Sequence, residues 1–470
     1  MQSNIEAEAL EANASPSLRP DSVSIYRSLA YGAPIAGTWF FYIPMWSILP
    51  GMYAKYFGLN LTAIAAVVFS IRLFDGVVDT TIGYLSDWHR SRGGSRKTWV
   101  FAGCIATIIA CYRLFIPPQH TTTLYYLTWS IAFFMAFTFA EIPHITWGSE
   151  LTMEYQQRTL VFGVRNIMTR VGIVAFYALP LLPLYPSSEY TPEILRDAVY
   201  VGTFMTVVGL AFAIFAAPAG MPSKMARRDS LRLLIRSFTA NKPLLLYFTS
   251  FACMGLAGGM WFGLVYFYLD GYLHLGGRIA LMFLVGYAVG ALFTPWCLKL
   301  IHRTSKSTAW AMGIGLFLAQ MAGMAFLTPQ SPEWIPFLLI IIVNIYFCCN
   351  DTAAMSIIAD IVDYGKLKFK KDRGATYFAI NILVFKFGLG IGGGLALAVV
   401  GWFGFSPAAA AQSEIAVMGL KLAFTVLPAF FAVIGLTLVL RTPIDRRRHG
   451  IIQRRLESQQ LRQNIATQNG

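Results

Sequence analysis

Twelve apolar segments, near residues 26–50, 59–85, 99–117, 123–147, 163–184, 197–219, 245–270, 277–300, 308–328, 335–359, 376–402 and 417–440, leave this chain few ways to fold. A hydrocarbon layer about 30 Å thick is crossed by roughly 20 helical residues, and it offers no water to an unpaired N–H or C=O. Helices and closed barrels alone meet that condition, and barrel strands would alternate apolar and polar residues over about ten positions. These segments are longer and do not alternate, so the expected fold is an all-α membrane protein with twelve transmembrane helices. Charge content agrees: only 13% of the 470 residues are Asp, Glu, Lys or Arg, against about 25% in soluble domains.

The connections alternate in charge. Arg90, Arg92, Arg96 and Lys97 share one side with Lys224, Arg227, Arg228, Arg232 and Arg236, with Arg303 and Lys306, and with Lys366, Lys368, Lys370, Lys371 and Arg373. Residues 117–122, 185–193, 328–334 and 404–411 contain no Lys or Arg. The positive-inside rule makes the basic loops cytoplasmic, and twelve crossings then place both termini there. The net charge of +14 is thus topogenic, and no nucleic-acid partner is expected. The expected organisation is a disordered cytoplasmic tail (1–25), a six-helix bundle (26–220), a cytoplasmic linker (221–243), a second six-helix bundle (244–440) and a basic tail (441–470). That tail, with Arg446 to Arg455, either anchors topology or lies on anionic membrane lipid. All six cysteines fall inside spans, with neither disulfide nor zinc spacing, and read as buried thiols.

Inside this apolar frame a few charges stand out. Asp75 and Asp79 lie one turn apart in the second span, on one helix face, close enough to share a small cation. A carboxylate at that depth costs at least about 2.5 kcal/mol, so such groups usually face a cavity and bind an ion, a proton or a solute. Arg72, one turn earlier, supplies the other reading, a pair that only holds the helix. Glu141, Arg165, Asp351 and Lys386 are further ionisable groups in or beside apolar spans, each in need of a partner or a wet cavity. Pro143 lacks an N–H and so frees a backbone carbonyl near Glu141. Gly388–Gly394 and Gly255–Gly259 lie within spans and read as close helix packing, not phosphate loops. No HExxH, Walker A or GxSxG pattern is present, and no enzymatic activity is expected.

The run Arg72-Leu-Phe-Asp-Gly-Val-Val-Asp79, continued by Gly83-Tyr-Leu-Ser-Asp-Trp-His-Arg-Ser-Arg-Gly-Gly-Ser-Arg-Lys97, resembles the second helix and following loop of the glycoside-pentoside-hexuronide:cation symporters, the melibiose permease family of the major facilitator superfamily. Thr138-Phe-Ala-Glu-Ile-Pro143, Arg165, Ile358-Ala-Asp-Ile-Val-Asp-Tyr-Gly365 and Lys386 resemble that family's later motifs in the same order. The resemblance implies two pseudo-symmetric six-helix bundles and cation-coupled symport of a sugar, glycoside or uronide by alternating access. It further implies a monomer in the bacterial cytoplasmic membrane, with no cofactor beyond the coupling ion. Asp75, Asp79 and Thr138 would line the cation site, and Glu141 and Arg165 would bind substrate. Lys386 would couple the two half-domains near the cation carboxylates, and Arg72 is a further coupling candidate.

Departures from the family pattern sharpen these expectations. Val78 stands where sodium-using members have asparagine and offers no oxygen, so the proton is the preferred coupling ion, with sodium at Asp75 and Asp79 the alternative. Trp39 replaces a sugar-binding aspartate and could stack on a sugar face or simply pack. Asp351 stands where sugar-specific relatives are aromatic, and either binds ligand or neutralises Lys386. Asn381 is a further polar candidate for substrate. Asp87, Arg90, Arg92 and Arg96 are expected to gate the cytoplasmic side. The alternative function is a carrier of a lysolipid or another amphipathic solute.

Overall fold

A computed structural model describes residues 24–152, 155–220, 241–369, 374–407, 409, 412–441, 450–452, 454, 455 and 458. The expected N-terminal tail, linker and basic tail lie almost wholly outside these residues. The first half carries α1 (Ile25–Tyr42), α2 (Pro44–Ser47), α3 (Leu49–Phe57), α4 (Leu61–Ser91), α5 (Arg96–Phe115), α6 (Thr123–Glu150), α7 (Tyr155–Ala178) and α8 (Pro192–Ala216). The second carries α9 (Lys242–Tyr266), α10 (Ile279–Arg303), α11 (Lys306–Ala325), α12 (Trp334–Phe369), α13 (Gly374–Trp402), α14 (Glu414–Lys421) and α15 (Leu427–Leu440). Taking α1–α3 as one interrupted crossing, and α14–α15 as another joined through the π turn Leu422–Val426, the helices make the twelve crossings that the sequence predicts.

Helix starts follow local chemistry. Asn60, Ser95, Thr122, Thr191, Asn241, Ser305 and Ser413 each accept a hydrogen bond from a backbone N–H two or three residues on, filling the orphan donors of the first turn. The first span corrects the expectation of one helix over 26–50. It breaks before Pro44 and again before Pro50, because each proline lacks an N–H and crowds the preceding turn. Polar ends extend two others beyond their predicted limits: α4 reaches Ser91 and α12 reaches Phe369.

Among the described residues, ten helices are long and apolar enough to cross a bilayer by composition alone. The other two crossings are the interrupted first span and α4, which carries Arg72, Asp75 and Asp79 within its apolar stretch. These two meet at the site described below. Helices in lipid gain little from hydrophobic association, so small residues at their contacts matter. Gly255 of α9 and Gly388 of α13 bring two backbones into contact, as the glycine runs predict. All six cysteines are buried and free.

Candidate functional site

The site grows from the antiparallel seam of α4 and α13, one helix from each half. Thr62 faces Gly401, Ala65 faces Gly394, Val68 faces Gly393 and Arg72 faces Gly390. Any side chain at 390 would run into the Arg72 stem, so this glycine lets the arginine lie flat in the seam. Continuing the register brings Lys386 to Asp79. Its Nζ lies 2.6 Å from Oδ2 of Asp79 and 4.0 Å from Oδ2 of Asp75. Thr138 of α6 donates to the other Asp79 oxygen at 3.0 Å. Arg72, 1% exposed, pairs with Asp75 at 2.5 Å, its guanidinium 3.7 Å from the Trp46 ring centre. One buried acid, Asp75, and one part-buried acid, Asp79, therefore meet two bases, which such depth requires. The helix-holding reading applies to Asp75 and Arg72, whereas Asp79 takes its partner from the other half.

A second group lies between α1, α6 and α7. Glu141 and Arg165 form a direct ion pair. Glu141 Oε2 and Arg165 Nε are buried without a hydrogen-bond partner among the described residues, as is Trp39 Nε1. Trp39 itself packs against Tyr42 and Phe137. One turn beyond Glu141, the His144 ring stacks on Tyr31 at 4.1 Å, and the Tyr31 hydroxyl donates to the His144 carbonyl at 2.9 Å.

Two expectations change at this depth. Asp351 does not neutralise Lys386, which Asp79 holds; it faces Arg170 of α7 at 3.7 Å. Asn381 does not join the other candidates. It is fully buried, accepts from Tyr247 at 3.0 Å and points its amide at Met355, all within the second half. Five residues separate it from Lys386, which turns it about 140° away around the helix.

Toward the basic loops, the expected gating charges pair inside the first half. Arg96 binds Glu150 at 3.0 Å and Asp87 at 2.6 Å, while Arg90 binds Glu150 at 3.0 Å and the Gly220 carbonyl at 2.7 Å. Arg92 instead covers the Trp88 ring. Sequence reasoning missed Glu150 because it lies just past the predicted end of its span. At the opposite end the halves close on each other. Lys55 bridges Glu189 at 2.7 Å and Asp270 at 2.8 Å, Tyr266 packs on Gly51, and Tyr177 stacks on Phe283 at 4.9 Å.

A chain whose acids and bases face one another across two helical halves has the build of a carrier, and known proteins agree. The sequence profile of the MFS/sugar transport protein family matches residues 30–446. The chain belongs to this family. It is accordingly a multi-pass membrane protein and a secondary transporter, not an enzyme. It is similar to the uncharacterized symporter YnaJ of Bacillus subtilis (strain 168), 22% identical over 86% of this chain and 89% of that protein. It is also similar to the putative glycoside/cation symporter YagG of Escherichia coli (strain K12), 23% identical over 81% of this chain and 84% of that one. The solved structure of the nucleoside transporter NupG shares the fold, with a TM-score of 0.61 at 13% identity over 90% of this chain and 100% of that one.

Proposed function

We propose that the chain couples movement of a saccharide-like solute to a cation, the proton for preference, by opening the cleft between its halves to one membrane face at a time. The observation that carries this reading is the Lys386–Asp79 pair at 2.6 Å. Lys386 acts as a tethered cation, occupying the carboxylate that a mobile cation would claim. A proton or metal ion arriving at Asp79 competes with it, frees the α4–α13 seam and alters which arrangement of the halves is favoured. Ion and solute then tighten one another by preferring the same state.

Val78, beside Asp79, supplies no oxygen, whereas a proton needs only the carboxylate; this favours proton coupling. Glu141 and Arg165, with buried polar atoms still unbonded, serve as solute contacts. Closure around Lys55 at the end whose loops 117–122, 185–193, 328–334 and 404–411 lack Lys and Arg, together with cytoplasmic basic loops, corresponds to a state open inward with both termini cytoplasmic. The setting is a monomer in a bacterial inner membrane. A relative named a putative glycoside/cation symporter supports the solute class.

The test is uptake into proteoliposomes of a glycoside, uronide and lysolipid panel, with pH and sodium gradients imposed separately and Asp79→Asn as control. Sodium-driven uptake indifferent to the pH gradient removes the proton. Lysolipid uptake without saccharide uptake removes the solute class.

A further inference from the structure

Arg170 and Asp351 differ from every other acid–base pair near the cleft. Their side chains are 49% and 59% exposed, against 10% and 14% for Arg165 and Glu141. Both belong to spans, one in each half, and they face each other, so this exposure is to the cleft. Arg170 lies two turns from Tyr177 on the face of α7 that meets the second half, where Tyr177 stacks on Phe283 and Tyr287. Across the cleft, α12 presents Asp351 one turn after Phe347, which packs on Trp261 and Phe262. The nearest approach of the two charges, 3.7 Å, exceeds hydrogen-bond range. The guanidinium fork therefore keeps donors, and the carboxylate keeps lone pairs, for a third party.

Resting on the solute-carrier reading above, we infer that Arg170 and Asp351 form a cross-half subsite for a neutral polyhydroxylated solute. One ring hydroxyl donates to Asp351 while its neighbour accepts from Arg170. Charge balance selects neutrality. Arg165 is matched by Glu141, Arg170 by Asp351, Arg72 by Asp75 and Lys386 by Asp79, so a solute carboxylate finds no uncompensated cation in this group. Charged hydrogen-bonding groups match adjacent hydroxyls well, and one partner on each half lets the solute itself draw the halves together.

Purified full-length protein is tested by ligand-dependent thermal stabilisation with a neutral pyranoside series, the matching uronates, single-deoxy analogues and a lysolipid. Each is then offered for gradient-driven uptake in proteoliposomes. The expected result is protection by a neutral pyranoside, with the uronate and at least one deoxy analogue weaker by roughly tenfold to a hundredfold. Arg170→Gln and Asp351→Asn should lose about the same factor while retaining the wild-type unfolding temperature without ligand. The double variant R170D/D351R separates the roles: a mere strut would be restored by the exchange, whereas the diol subsite would not be. Equal or tighter uronate binding, exclusive lysolipid binding, or full rescue by the exchange overturns the inference. If a uronate is accumulated on an ion gradient, the symport reading stands and the diol subsite falls. If a neutral pyranoside protects but no gradient drives its uptake, the subsite stands and symport falls.

Discussion

Replacing Lys386 by glutamine removes the charge lying 2.6 Å from Asp79 and 4.0 Å from Asp75. Arg72 cannot compensate, because it is committed to Asp75 and lies flat against Trp46. Removing one member of a buried pair costs about 3–5 kcal/mol. Side-chain exposures of 20% for Lys386 and 16% for Asp79 put this site at the lower end, about 3 kcal/mol. A cation binding at Asp79 recovers that deficit, since it restores the charge Lys386 supplied. At about 1.4 kcal/mol per decade, Lys386→Gln should lower the proton or sodium concentration at half effect about 100-fold. Thermal unfolding of the purified protein across cation titrations reads this directly, because a ligand stabilises by RT ln(1 + [L]/Kd). Without cation the variant should melt earlier than wild type, and the double variant D79N/K386Q should recover stability and lose the cation response. A folded Lys386→Gln protein with an unchanged or weakened cation midpoint would refute the tethered-cation argument.

Three further outcomes follow from the same geometry. Glu150, with a side chain 1% exposed and holding both Arg90 and Arg96, should cost about 3 kcal/mol when changed to glutamine; an unaltered unfolding temperature would show the network idle. Lys55→Ala removes the bridge between Glu189 and Asp270, whose partial exposure limits the effect to about 1 kcal/mol. Spin-label distances across that end should show its open population rising roughly fivefold, and an unchanged distribution argues against a latch. Asn381→Ala should lower stability by about 1 kcal/mol through loss of the Tyr247 bond while leaving solute KM within about twofold; a large KM change would return Asn381 to the solute site.

Much of the site was legible from one rule, that charge inside an apolar span needs a reason. It singled out Asp75, Asp79, Glu141, Arg165, Asp351 and Lys386, and the structure pairs every one of them. Arg170 satisfied the same rule, lying inside the span predicted over 163–184, yet no motif drew attention to it. Lys55, Glu189 and Asp270 lie at span ends, where charge is ordinary, so nothing local marked their meeting. Trp46 shares its span with Phe40, Phe41 and Tyr42, and nothing local distinguishes it; the break at Pro44 sets it over Arg72. Asn381 shows the opposite error, since polarity within a span says nothing of the direction in which it points.

The sequence by itself determined twelve helical crossings, their alternation across the membrane and the spans that carry charge. Those properties depend on local conditions, as lipid demands that each segment satisfy its own backbone and hide its own charge. Only the tertiary structure decided which acid meets which base. Lys386 and Asp79 are 307 positions apart, and their meeting depends on the register of one helix against another, set by Gly390, Gly393, Gly394 and Gly401. Rotation of α13 by part of a turn would keep every span intact and separate that pair. Pairing across the halves is a property of packing, and no single span contains it.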